Sequence, residues 1–245
     1  MQENRPKGFL DRTTIKYLVI ILMIIDHSAM MLEERIEHIS PFIMDGITFL
    51  SESGAPILAF FVAEGFMHSR NVAKYRRRMG ICALITWLPC QFFSFGFASI
   101  MEDPKKILIQ SILMAYYLAL VALCVWYSDK FNKPKKIVLI TLLCVLSIFT
   151  DMPIAGVLAP FFQCIYRNDR TKRYISIALS YAVIFFPLFL FKGWCAFGIL
   201  LTPLFLIFVY NGKNGKKSAF NKWFFYIFFP LHFIILGIIR WYVLK

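Results

Sequence analysis

Ionisable side chains interrupt long apolar runs at several points of this 245-residue chain. Such groups are costly inside a membrane, so each one points to a function. The ones that stand out are Asp26, His27, Glu52, Glu64 and His232. A histidine beside carboxylates can move protons as a general acid or base. We therefore predict that the catalytic residues are His27, Asp26, His232 and Glu64.

His27 and Lys16 have a spacing that suits a long anionic substrate. His27 lies eleven positions after Lys16, so on a helix the two residues lie within about 20° of one face and roughly 16 Å apart along the axis. This is about the reach of an extended phosphopantetheine arm. Lys16 would then bind phosphate at the membrane surface, while His27 acts as a general base on a thioester at depth. The alternative is that Lys16 only extends to the surface and His27 only bonds a neighbouring helix.

Asp26 cannot pair easily with His27, because adjacent helical residues point about 100° apart. His232 follows Pro230 within an apolar run and also needs a partner there. A carboxylate that orients an imidazole and stabilises its charged form is typical of a catalytic dyad. The alternative is a structural contact between two helices.

A basic cluster follows Glu64. It contains Arg70, Lys74, Arg76, Arg77 and Arg78. Arginine forks match phosphate well, so this segment could bind phosphate or pyrophosphate at the membrane surface. The alternative is anchoring of the loop against lipid headgroups.

The chain has the composition of a membrane protein. Its 59% hydrophobic content exceeds the roughly 45–50% of soluble domains. The apolar runs predict an all-α fold in one domain, residues 1–245, with nine transmembrane helices at 15–32, 46–66, 79–99, 107–127, 136–150, 153–165, 174–191, 195–210 and 223–243. The fifth and sixth are short and could instead form a re-entrant pair. The first run lacks a small-residue cleavage site, so a removable signal peptide is not expected.

Basic residues alternate between the two sides of this predicted topology. The N-terminal segment carries four Lys and Arg, the loop at 67–79 carries five, and the loops near 130, 170 and 216 carry four each. Six lie on the other side. The positive-inside rule therefore predicts a cytoplasmic N-terminus and an external C-terminus. Topology accounts for the net charge of +13, and we expect membrane lipid but no nucleic acid as a partner.

The six cysteines lie in or beside apolar runs and form no C-x-x-C pair. Free cysteine usually behaves as a small apolar residue in such places. We therefore expect no metal site.

Four segments of the chain resemble the TraX family. They run from Ile15-Lys16-Tyr17 to Asp26-His27, from Ser53-Gly54-Ala55-Pro56 to Glu64-Gly65-Phe66, over Ser69-Arg70-Asn71, and from Trp223-Phe224-Phe225-Tyr226 to Pro230-Leu231-His232. That family includes the F-pilin acetylase of conjugative plasmids. It is similar to the acyltransferase-3 and lysosomal glucosaminide acetyltransferase groups, which use acyl-CoA at the cytosolic face and modify an acceptor across the membrane.

The resemblance implies roles for particular residues. Acyltransferase-3 proteins carry a basic residue, ten residues and a histidine in their first span, which Lys16 and His27 reproduce, so His27 is implied to be catalytic. Their Phe-Phe-x-x-x-Gly-Phe segment followed by arginine has a counterpart in residues 60–66 and Arg70. Acetyl-CoA is therefore expected to bind at Lys16, Arg70, Arg76, Arg77 and Arg78.

We thus expect a membrane acetyltransferase of the bacterial cytoplasmic membrane. Its acceptor would be an amine or hydroxyl of an envelope protein, peptide or glycan. One alternative is a proton-coupled transporter that uses Asp26, Glu52, Glu64 and His232, although no paired repeat supports it. Another is a non-catalytic membrane component of a conjugation or secretion complex.

Overall fold

The structure is a computed structural model that describes residues 8–33, 40–216 and 218–244. The described residues fold into helices joined by short segments. The α-helices are α1 (Arg12–Glu33), α2 (Pro41–Ser51), α3 (Gly54–Met67), α4 (Val72–Glu102), α5 (Ile112–Trp126), α6 (Lys133–Leu146), α7 (Ala155–Ile165), α8 (Arg170–Lys192), α9 (Leu201–Phe208) and α10 (Ala219–Ile238). Three 3₁₀ segments lie at Pro104–Leu108, Ser147–Phe149 and Gly193–Leu200, and a π-helical turn follows at Ile239–Val243.

The described part of the chain has four helical segments long and apolar enough to cross a bilayer. They are Arg12–Leu32, Pro41–Met67, Val72–Glu102 and Ala219–Val243. Helices α5, α6 and α7 have 15, 14 and 11 residues, fewer than the roughly 20 that span a bilayer. The chain is therefore an all-helical protein of membrane type. Each of the nine predicted spans overlaps a helix or a pair of helices, while nine crossings remain a prediction.

Two predicted spans are interrupted. The second is broken at Glu52 and Ser53, between α2 and α3. After α6, the chain leaves the helix near Thr150 and forms an isolated parallel bridge with Gln110. The N–H of Gln110 donates to the Phe149 oxygen at 2.6 Å, and that of Asp151 donates to the Gln110 oxygen at 3.1 Å. The segments around Gln110 and Thr150 therefore satisfy polar backbone groups of each other, as irregular backbone within apolar surroundings requires.

The core lies where α7 packs against α3, α5 and α8. Small residues let these helices approach closely. Ala59 and Ala63 of α3 are fully buried. A Cβ added to Gly156 of α7 would lie only 2.6 Å from the Cβ of Ala115. Large apolar side chains of outer helices such as α6 are exposed instead, which suits contact with lipid.

Side-chain caps fix the starts of the helices that follow the basic loops. Asp11 precedes α1, Asn71 precedes α4, Asp169 precedes α8 and Ser218 precedes α10, and each accepts a hydrogen bond from the backbone N–H three residues later. Asn132 caps α6 in the same way. Hydrogen bonds from Lys172 hold the pKa of Asp169 below its usual value. The loops therefore supply both positive charge and defined helix starts.

Helices α4 and α10 pack together along most of their length. Helix α4 is kinked at Gly96, whose φ of 72° favours glycine. The kink leaves carbonyl groups of the preceding turn without regular helical donors. Arg240 Nη1 donates to the Phe93 oxygen at 3.0 Å, and Trp241 Nε1 donates to the Phe92 oxygen at 2.8 Å. The end of α10 thus stabilises the bend in α4.

Candidate functional site

A cavity of about 650 Å³ opens beside the N-terminal turns of α1 and α4. We call it the basic cavity, because Arg12, Lys16, Arg78 and Lys216 line it and no carboxylate does among the described residues. Hydroxyl, amide and imidazole groups also line it, from Thr13, His68, Ser69, Tyr75, Tyr116, Asn214, Ser218, Asn221 and Tyr226. Cations in a partly enclosed space concentrate anions, so this cavity is suited to a phosphate-bearing ligand.

The N-terminal turn of α1 positions two of these cations. The N–H of Arg12 donates to the Lys213 oxygen at 2.9 Å, which ties the start of α1 to the segment before α10. The Arg12 guanidinium donates to Asn214 Oδ1 at 3.3 Å and to the Phe61 oxygen at 3.1 Å. Lys16 lies one turn later with its Nζ 5.0 Å from the centre of the Phe225 ring. Both charges are therefore directed into the cavity.

Arg78 contributes a third cation from α4. Its Nε is buried and has no hydrogen-bond partner among the described residues. A buried guanidinium nitrogen without an acceptor is costly. A guanidinium pairs well with phosphate oxygens, so Arg78 suits an anionic ligand in the basic cavity.

A second cavity, of about 340 Å³, lies further along the same helices. We call it the acidic cavity, because Asp26, Glu52 and Asp151 line it together with His27, and no Lys or Arg of the described segments does. Asp151 Oδ2 accepts a hydrogen bond from the Ile112 N–H at 3.2 Å and so caps α5. Negative lining of this kind favours a positively charged ligand group.

Leu58 and Phe229 line both cavities. Leu58 lies on α3, and Phe229 lies on α10. The basic and acidic cavities are therefore neighbours, with only these two side chains shared. The continuous helix α1 runs past both, with Lys16 in the first and His27 in the second. Because α1 is continuous between them, the helical rise of 1.5 Å per residue corresponds to roughly 16 Å along the axis.

His27 and His232 lie side by side at the acidic cavity. Their ring centres are 5.3 Å apart with planes 13° from parallel, but only His27 lines the cavity. His232 Nδ1 lies 3.0 Å from the Phe228 oxygen. A carbonyl only accepts, so in the neutral ring Nδ1 carries the proton and Nε2 the lone pair. His232 Nε2 has no hydrogen-bond partner within the described ranges.

Pro230 helps to shape this part of α10. It has no N–H, so the Tyr226 oxygen lacks its helical donor. Cys82 Sγ donates to that oxygen at 3.4 Å instead. This contact joins α10 to α4 at the basic cavity, which both residues line.

Glu64 lies in neither cavity lining. Its Oε1 accepts a hydrogen bond from Arg173 Nη2 at 2.9 Å, and its Oε2 lies 3.4 Å from the Tyr210 hydroxyl. Both members of the ion pair are largely buried, with 9% of the Glu64 side chain and 18% of the Arg173 side chain exposed. The pair joins α3 to α8, which is a structural role.

The predicted basic cluster divides between the cavity and the surface. Arg78 lines the basic cavity, whereas Arg70, Arg76 and Arg77 do not. Arg70 and Arg77 are exposed, and Arg76 is half-buried. Successive helical residues point about 100° apart, so neighbours on α4 face different ways.

Several lining residues are absent from the sequence-based prediction. Arg12 is four residues before Lys16 on the same helical face, a signal that would have identified it. Lys216 and Asp151 come from segments between helices. Their place depends on how distant parts of the chain pack, which spacing alone does not reveal.

Comparisons with known proteins agree with the resemblance. Residues 11–240 match the family described as TraX protein. The chain is 30% identical over 242 residues to a "Probable fimbrial assembly protein FimC, serogroup H1" of Dichelobacter nodosus, covering 91% of this chain and 92% of that protein. No solved structure matches the chain. The family match covers nearly the whole protein, and the chain belongs to the TraX family.

Proposed function

We propose that this protein is an acetyltransferase of the bacterial cytoplasmic membrane that moves an acetyl group from acetyl-CoA to an envelope acceptor. The observation that carries the proposal is the pair of adjoining cavities of opposite charge, joined at Leu58 and Phe229. A cationic cavity suits the phosphates of CoA. An anionic cavity with a histidine suits a protonated acceptor amine.

The basic cavity is the proposed donor site. Arg12, Lys16, Arg78 and Lys216 supply four positive charges, and the Arg78 guanidinium suits phosphate oxygens. The cavity volume of about 650 Å³ is within the roughly 300–1,000 Å³ of small-molecule sites. Arg70 and Arg77 are proposed to attract the anionic donor from the cytosol rather than to hold it.

The acidic cavity is the proposed site of transfer. Asp26, Glu52 and Asp151 would hold an acceptor amine in its protonated form before reaction. His27 would then take a proton from the amine, whose nitrogen attacks the thioester carbon. As the carbon–sulfur bond breaks, the second proton lost by the nitrogen passes to the departing sulfur, so an amide forms and CoA leaves as its thiol while His27 keeps the first proton. The three carboxylates favour an amine over a hydroxyl, because a hydroxyl carries no charge.

The other predicted catalytic residues have supporting roles in this proposal. Asp26 would stabilise the charged His27 ring after proton transfer. His232 would hold the His27 ring in position by stacking against it. Glu64 would act as a positioning residue, because it joins α3 and α8 beside the donor site through Arg173.

The proposed topology has nine crossings with the N-terminus inside. The alternation of basic loops in the sequence supports it. Acetyl-CoA would then arrive from the cytosol. The acceptor would meet His27 from the opposite side.

A second candidate is a non-catalytic membrane component of pilus assembly. The similarity to a protein named as a probable fimbrial assembly protein favours it. In that case the cavities would bind no acyl donor. A third candidate is a proton-coupled transporter, which is supported only by the carboxylates of the acidic cavity.

The test is acetyl transfer by the purified protein in lipid nanodiscs. Labelled acetyl-CoA is supplied with a synthetic peptide that has a free N-terminal amine, and with the same peptide carrying a blocked N-terminus but a serine hydroxyl. We expect the first peptide to be labelled and His27→Ala to abolish labelling. If the protein neither binds acetyl-CoA nor labels a peptide or an envelope extract, the acetyltransferase proposal is wrong.

A further inference from the structure

The side chains of Leu58 and Phe229 form a partition between the two cavities. Leu58 is half-buried on α3, and Phe229 is 7% exposed on α10. No other residue lines both the basic and the acidic cavity among those the structure describes. A ligand that extends from one cavity into the other must therefore pass these two side chains.

The order of lining residues shows that the two cavities follow one another along the same two helices, α3 and α10. On α3, Val62 lines the basic cavity, Leu58 lines both and Ala55 lines the acidic cavity. On α10 the same order is Phe225, then Phe229, then Phe233 at successive turns, so that each helix steps from one cavity to the next. Residues three or four positions apart on a helix lie on the same face, so each of these two series of side chains lies on one face of its helix. Leu58 and Phe229 thus lie at the level where the lining of one cavity changes to that of the other.

The surroundings of the partition are close-packed. Leu113 on α5, which lines the basic cavity, is 4% exposed. The Tyr116 hydroxyl donates to the Ala55 oxygen at 2.7 Å, which fixes α5 against α3 directly beside Leu58. Packed walls of this kind move little, so the width of the path depends on the two side chains that face it.

Phe229 also contacts the histidine pair. Its ring lies 6.1 Å from that of His232 at 78°, an edge-to-face contact. His232 in turn lies against His27. A bulky donor that pushes Phe229 aside would also disturb the His232 and His27 rings. Such a donor would therefore be disfavoured both at the partition and at the site of transfer.

We propose that Leu58 and Phe229 determine which acyl group the enzyme transfers, by limiting the cross-section of the acyl chain that reaches His27. This inference rests on the proposed function. An unbranched acyl group is no wider than the pantetheine arm behind it and passes. A branched or aromatic acyl group is wider and is rejected, and hydrophobic selection of this kind changes rates by about 10- to 200-fold.

The experiment compares acetyl-CoA, isobutyryl-CoA and benzoyl-CoA as donors. We expect wild type to prefer acetyl, and expect Leu58→Ala and Phe229→Ala to raise kcat/KM for isobutyryl relative to acetyl by about tenfold or more. Leu58→Phe narrows the path and should lower acetyl transfer. Phe224→Ala is the matched control, since Phe224 is on the same helix as Phe229 and lines neither cavity.

The outcomes separate this inference from the proposed function. If wild type transfers acetyl and the widened variants keep the wild-type donor ratio within twofold, the partition does not select the acyl group. The same conclusion follows if Phe224→Ala shifts the ratio equally. If wild type uses no acyl-CoA, the proposed function itself fails. Leu58→Val and Phe229→Leu repeat the test with smaller expected shifts if the alanine variants do not fold.

Discussion

Replacing Arg78 by alanine should weaken use of acetyl-CoA by roughly tenfold to a hundredfold. Arg78 is half-buried, lines the basic cavity and has a buried Nε without an acceptor among the described residues. A hydrogen bond to a charged partner contributes about 1.5–3 kcal/mol, which corresponds to this range. We expect a loss nearer tenfold than a hundredfold, because the cavity is open enough for water and salt to screen the charges.

Arg77→Ala provides the matched control. Arg77 is the adjacent residue on α4, is exposed and lies outside the cavity lining. It carries the same charge, so a general effect of net charge would appear in both variants. We expect kcat/KM for Arg77→Ala to stay within about twofold of wild type, as is usual for exposed charges.

A truncated donor sharpens the assay. The acetyl thioester of N-acetylcysteamine has the reactive end of acetyl-CoA but no phosphates. The loss at Arg78 should be seen with acetyl-CoA and should disappear with the truncated donor. Equal losses with both donors, or equal effects of Arg77→Ala and Arg78→Ala, would refute the assignment of phosphate binding to the basic cavity.

Three further predictions concern stability and can be measured by thermal unfolding in detergent. Glu64→Gln should destabilise the fold by about 3–5 kcal/mol, because it leaves the largely buried Arg173 without its ion-pair partner; an unchanged midpoint would contradict the structural role. Gly96→Ala should cost about 1–3 kcal/mol, since φ is 72° and the new Cβ would lie 3.1 Å from the Trp241 ring; a stabilised variant would exclude the kink. Ser218→Ala should cost about 1 kcal/mol through loss of the α10 cap and no more than twofold in donor binding; a large binding loss with normal stability would instead make Ser218 a ligand contact.

Local features of the candidate site could be predicted from the sequence. The spacing of Lys16 and His27 requires only that one helix continues between them, and α1 does so. The cost of placing a histidine in an apolar run singled out His27 and His232, and the structure brings them together. These arguments succeed because helical geometry depends on near neighbours alone.

Other features could not be predicted because they depend on packing between distant segments. The sequence suggests Glu64 for the acyl donor site, but Arg173 of α8 pairs with it, more than a hundred residues later. Asp151 joins the acidic cavity only because the break near Thr150 pairs with Gln110. The lengths of the helices within the predicted spans could not be predicted, because hydrophobicity alone does not show where short helices end.

The most direct test of the account is a structure of the protein in nanodiscs with a non-hydrolysable acetyl-CoA analogue. We predict that the phosphates lie against Arg12, Lys16, Arg78 and Lys216, that the pantetheine arm passes Leu58 and Phe229, and that the thioester position lies beside His27. An analogue bound with its reactive end away from the acidic cavity, or no bound analogue at saturating concentration, would contradict the account.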